Sequence, residues 1–212
     1  MPDNLEKLWF ELLSHYSRGI YLPLLLKAKK AFFDLTGQIN EDDEDFEMRM
    51  SSFNDWYLTR FTCEELPSTI LKDYLSKNML IDPFIKDALE SIHFSLFRYV
   101  KISWRKQIVL KDLISKKSVN LSKNHKPINF VAKEIFSGRT ITYQGEIYLL
   151  PGLCLFPNEA LGPIEKQSKK VRKLNNETET YQFLLSLESL KTKYIRYGHI
   201  DPKKIFSFSL QQ

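Results

Sequence analysis

SLFRYVKISW (residues 95–104), IVLKDLISKKSVNL (108–121), INFVAKEIF (128–136), TITYQGEIYLL (140–150) and GLCLF (152–156) are the segments that decide the fold. Along the first, Leu96, Arg98, Val100 and Ile102 point one way and Phe97, Tyr99, Lys101 and Ser103 the other, a period of two. β-branched and aromatic residues are dense throughout. Arg105-Lys106-Gln107 suits a hairpin connection. Ser115-Lys116-Lys117 and residues 122–127 read as loops, and Gln144-Gly145 carries the chemistry of a two-residue turn. Five or six short strands in about 60 residues predict a small antiparallel, barrel-like sheet. So short a sheet needs closure or a helical cover to remove its edges.

Before this β unit, residues 1–94 read as helices. Leu5, Leu8, Trp9, Leu12, Leu13 and Tyr16 recur at helical spacing. Pro23 fits the first turn of a second helix and Gly37 its C-cap. Phe46, Met50, Phe53, Tyr57 and Phe61 follow an acidic run, with Trp56 expected at the junction of helices and sheet. A fourth helix is expected to end near Asn78. Asp82-Pro83 starts a fifth, an N-cap followed by proline at the first helical position, which leads into the first strand near His93.

After the β unit, residues 157–176 are poor in large apolar side chains and contain EKQSKKVRK. They read as a surface linker open to early proteolytic nicking. Residues 177–212 read as a C-terminal helix with a tail in which Phe206, Phe208 and Leu210 alternate like a short strand. The expected fold is therefore α+β: an N-terminal helical region packed on a small antiparallel, barrel-like sheet, plus a C-terminal helix.

The composition, 43% hydrophobic with 15 Phe, 10 Tyr and 3 Trp in 212 residues, supplies a packed core. Cys63 and Cys154 lie far apart without a motif and read as reduced, buried thiols. The longest apolar run, residues 19–26, is broken by Pro23 and far short of the roughly 20 residues that cross a bilayer. No transmembrane segment is expected, and the default location is cytoplasmic. The net charge of +5 is unevenly spread. Residues 1–94 hold 10 Lys and Arg against 17 Asp and Glu, a balance of −7. Residues 95–143 hold 11 against 2, a balance of +9, and the remainder stands at +3. The acidic charge coincides with the helices and the basic charge with the strands.

Phe53, Trp56 and Tyr57 in FNDWYLTRF, followed by Val109-Leu110-Lys111-Asp112-Leu113, resemble a pattern in uncharacterised bacterial proteins. Those carry a helical region with a Phe-x-x-Trp-aromatic motif, then strands with Val-Leu-x-Asp-Leu. The resemblance covers residues 46–156 and implies the same order of helices and strands. Some proteins of that type end in a Cys-rich zinc motif, which this chain lacks, and no activity follows from the resemblance.

Catalytic and metal chemistry find no foothold. His15, His93, His125 and His199 are isolated, and neither HExxH nor CxxC occurs. Seven glycines supply no phosphate loop, and there is no Gly-x-Ser-x-Gly elbow. No catalytic residue, metal or cofactor is expected, and a hydrolase ranks third among the readings. The leading one is a non-catalytic adaptor or regulatory module with a protein partner. The alternative is a nucleic-acid-binding protein using the basic β unit. Arg98, Lys101, Trp104, Arg105 and Lys106 form the candidate binding surface, since cations interleaved with aromatics suit either partner. Glu41, Asp42, Asp43, Glu44 and Asp45 form a candidate acidic partner site, beside the plainer reading of a solvated helix start. The acidic helices are expected to dock on the basic hairpin and cancel much of its field.

Overall fold

The computed structural model describes residues 1–78 and 80–208. Five helices come first: α1 (Asp3–Tyr16), α2 (Leu22–Thr36), α3 (Phe46–Thr59), α4 (Ile70–Lys77) and α5 (Pro83–Glu90). Their ends follow local chemistry. Thr69 caps α4, and the Asp82 carboxylate accepts from the Phe84 and Ile85 N–H groups at the start of α5. Gly37 ends α2 at φ 88°, and a Cβ there would lie 2.7 Å from Thr192 Cγ2, so the position demands glycine twice over.

Six antiparallel strands follow: β1 (His93–Ile102), β2 (Ile108–Asp112), β3 (Ser118–Asn120), β4 (Ile135–Tyr143), β5 (Glu146–Leu149) and β6 (Cys154–Phe156). The order is β3-β2-β1-β4-β5, with β6 pairing the first half of β4. Gln144 and Gly145 both have positive φ, as their two-residue turn requires. A parallel bridge between Leu121 and Ile147, with the Ser122 N–H on the Ile147 carbonyl at 2.8 Å, brings the ends of the sheet together into a half-barrel. His125 Nε2 accepts the Leu149 N–H at 3.0 Å, and its Nδ1 lies 2.6 Å from the Lys126 carbonyl. Those partners require the neutral Nδ1–H tautomer, and burial lowers the pKa of this imidazole to match.

Both faces of the sheet are buried over its middle, away from the β1–β2 hairpin end and β3. Phe97, Leu110, Leu121, Phe136 and Leu149 fill the inside of the curl. Leu96, Ile135, Cys154 and Phe156 face the C-terminal helices, while Ile141, Tyr148 and Leu150 join the helical core of α1–α5. Trp56 sits in that helical core and is 5% exposed. Its ring packs on Phe32 of α2, and its indole N–H donates to the Tyr181 hydroxyl. Leu96 and Phe97 point as the alternation predicts, but a bulge between Tyr99 and Lys101 breaks the period of two before the hairpin turn.

Two expectations need correction. The segment read as a linker holds a short 3-10 turn (Asn158–Ala160) and then α6 (Leu161–Leu174), which buries Ile164, Ser168 and Val171. The stripe is narrow and one of its members is a serine, so its apolar signal is weak although its spacing is helical. Next, α7 (Glu177–Arg196), capped by Asn176, is the expected C-terminal helix. In the tail, α8 (Pro202–Ile205) takes the place of an extended start and leaves Phe206 buried, while Leu210 lies outside the described residues. No described helix is long and apolar enough to cross a membrane.

Candidate functional site

The β1–β2 hairpin ends in a tight turn. Ser103 N–H donates to the Gln107 carbonyl at 2.8 Å, and Lys106 N–H to the Ser103 carbonyl at 2.9 Å, with Lys106 at φ 60°. The tip carries three large exposed apolar side chains: Val100 (47%), Ile102 (63%) and Trp104 (86%). The Arg105 guanidinium lies 4.6 Å over the Trp104 ring. Lys101 and Lys106 are exposed beside them. Four of the five residues expected on the basic surface therefore meet at one tip. Arg98 does not. It faces α6, half-buried, with Nη1 donating to Glu165 Oε1 at 2.5 Å.

The acidic helices leave this tip open, contrary to the docking expected from charge. Among the described residues, Lys101, Arg105 and Lys106 make no ion pair, and the Lys/Arg–carboxylate pair that joins the acidic helices to the basic segment is Glu6 with Lys126 at 2.6 Å, away from the tip. The acidic run is a set of turns ahead of α3. Glu41, Asp42 and Glu44 are exposed, and the Asp43 carboxylate accepts from the Asn40 N–H at 2.7 Å. Asp45 occupies the N-cap position without capping, and burial raises its pKa. No group of three or more His, Cys, Asp or Glu among the described residues is placed to hold a metal ion.

A buried polar network, which the sequence does not announce, joins α2, α3, α7, β4 and β6. Arg49 Nη1 donates to Glu188 Oε2 at 2.7 Å, and both side chains are 1% exposed. The Ser52 and Ser137 hydroxyls donate to Glu188, and the Thr192 hydroxyl donates to the Thr36 carbonyl. Burial would lower the pKa of Arg49, and Glu188, Cys154 and Asp45 together more than offset that and raise it. The neighbouring Cys154 thiol is pushed up to about 12 by burial and is inert. Asp55 Oδ2 accepts the Gly152 N–H at 2.9 Å. A Cβ on Gly152 would meet Asp55 Oδ2 at 2.5 Å and the Ser52 Cα at 2.6 Å, so only glycine lets the β5–β6 turn press this close to α3. Burial raises the Asp55 pKa to about 7, and the field of Arg139 opposes that without cancelling it.

Arg139 is the other residue the charge layout hid. It sits on β4 in line with Ile135, Ser137 and Ile141, so the alternation alone places it on the helix-facing side. It is 1% exposed, and none of its three guanidinium nitrogens has a hydrogen-bond partner. Its guanidinium lies 4.2 Å over Phe94, Phe94 meets Tyr181 edge-on, and Arg60 lies 4.9 Å over Tyr181. This cation–aromatic ladder borders two cavities. The one that reaches Arg139 measures about 290 Å³ and is walled by Leu71, Leu75, Leu89 and Ile92, with Arg60 and Lys72 also lining it. The second, about 690 Å³, shares Arg60, Ile92, Phe94 and Glu177 with it.

Phe53, Trp56 and Tyr57 are core. Asp112 organises the β2–β3 turn, accepting from the Ser95 hydroxyl and the Ile114 and Ser115 N–H groups. Burial alone would raise its pKa, but these bonds and His93 outweigh burial and hold it at about 2. No family model, curated protein or solved structure matches the chain.

Proposed function

We propose that this protein is a non-catalytic interaction module whose hairpin tip engages a protein partner, one offering an apolar pocket with an acidic rim. The observation that carries this reading is Trp104, 86% exposed at the tip and flanked by exposed Val100 and Ile102. An exposed tryptophan beside arginine and aliphatic side chains is the composition of interface hot spots, where one aromatic anchor fills a pocket. Lys101, Arg105 and Lys106 add a positive collar that steers an acidic partner and sets its orientation. The turn holds the anchor on a rigid hairpin, so little conformational entropy is lost on docking.

A photo-crosslinking residue placed at position 104 in living cells tests this, with the same residue at exposed Ile20 as the comparison. A protease-sensitive adduct at position 104, lost when Arg105 and Lys106 are reversed to glutamate, is the expected result. A nuclease-sensitive adduct would overturn the protein-partner reading in favour of nucleic acid, which the stacked Arg105–Trp104 pair also suits. Binding of an oligonucleotide would then weaken with salt, at a slope near −0.7 per phosphate contacted on a single strand. Adducts at Ile20 with none at position 104 would move the interface to the α1–α2 face.

A further inference from the structure

We infer that the cavity at Arg139 is a binding site for a small organic oxyanion, a carboxylate or phosphate head on an apolar body. This goes beyond the hairpin reading and rests on different residues. Desolvating a guanidinium is costly unless its donors are paired, and Arg139 leaves all three nitrogens unpaired beneath the cavity wall. Stacking on Phe94 satisfies one face of the guanidinium and does nothing for the N–H groups around its edge. Asp55 is the nearest internal counter-charge, yet it makes no hydrogen bond to Arg139, and its acceptor contact goes to Gly152. A carboxylate or phosphate matches the forked donors that remain.

The rest of the cavity says what the anion is attached to. Leu71, Leu75, Leu89 and Ile92 line it, Lys72 and Glu90 stand exposed at its rim, and the rim carboxylate of Glu177 is already paired with Arg60 at 3.2 Å, which leaves Arg139 as the unpaired charge inside. A volume near 290 Å³ lies at the small end of ligand pockets, which run from roughly 300 Å³ upward. Inorganic phosphate alone would leave the apolar wall unused. An uncharged apolar molecule would leave Arg139 unpaired. The combination selects an anion with an aromatic or short aliphatic body.

Titration calorimetry of the whole chain with phenyl phosphate and benzoate, against inorganic phosphate and benzyl alcohol, tests the assignment. At least one of the first two should bind saturably at millimolar concentration and raise the melting temperature. It should bind about tenfold or more tighter than either control, a difference of about 1.4 kcal/mol. Arg139→Met should abolish binding. Because that variant removes a buried charge and can fail to fold, Lys72→Glu at the exposed rim is the second test, and it should weaken binding several-fold with an unchanged melting curve. Absence of binding by both organic anions would overturn the inference. So would controls that bind as tightly, or an affinity that Lys72→Glu leaves unmoved.

Discussion

Asp55 shows how one buried carboxyl links sequence to pH. In the folded chain its pKa stands at about 7, against an ordinary 3.8, because burial disfavours the charge. The opposition from Arg139 and the Gly152 N–H does not restore it, and the Trp9 indole lies close by without meeting hydrogen-bond geometry. The folded state therefore binds a proton more tightly than the unfolded one. The stability this confers is fully present below about pH 4 and is lost as pH rises through about 7, on the order of 4 kcal/mol over the whole interval. His125 acts in the opposite sense, since its lowered pKa makes the fold lose stability as pH falls into the imidazole range. Comparing wild type with Asp55→Asn isolates the carboxyl. Denaturant unfolding from pH 4 to 8 should show that the variant lacks the downward slope. Parallel profiles would mean that Asp55 is ionised throughout.

Among the elements, α6 departs most from what its sequence announces. EKQSKKVRK has the composition of a solvated connection, yet Ile164, Ser168 and Val171 recur at helical spacing and find a wall made by α7 and the sheet. Arg172 adds a hydrogen bond to the Leu113 carbonyl at 3.1 Å, and Glu165 pairs with Arg98. A packed helix hides its backbone from proteases far better than a loop does. Brief trypsin digestion should therefore cut first in the β3–β4 connection, at exposed Lys123 or Lys133, and leave Lys166–Lys173 intact. Early cleavage between Lys166 and Lys173, read by mass spectrometry, would show that α6 opens independently of the rest.

For the whole molecule, the Arg49–Glu188 pair ties the N-terminal helices directly to α7, with Ser137 of the sheet joining it. A buried charge that loses its partner is strongly destabilising, so Arg49→Met should cost about 3–5 kcal/mol. Adding Glu188→Leu should recover part of that loss, because no lone charge remains. Recovery stays incomplete, since the Ser52 and Ser137 hydroxyls lose their acceptor. Chemical denaturation of both singles and the double decides it. A double variant that costs the sum of the singles would show that the two charges do not act as a pair.

What the sequence determined by itself is mostly local. The period-two strands, the Gln144-Gly145 turn, the Asp82-Pro83 helix start and the Gly37 stop are legible because each depends on neighbours a few residues away. The candidate tip was legible in part: Trp104, Arg105 and Lys106 stand where a hairpin must turn, and turns face solvent. Tertiary structure decided the rest. Whether Arg98 joins that tip depended on which side of β1 faces α6. Whether the acidic helices cover the basic hairpin depended on packing, because net charge is a long-range and screened quantity, whereas buried apolar area fixes which surfaces meet. Arg139, Asp55, Arg49 and Glu188 are separated by up to 139 residues and look like ordinary surface charges in the chain. Only the meeting of α3, α7 and β4 removes them from water, and removal from water is what gives each of them its chemistry.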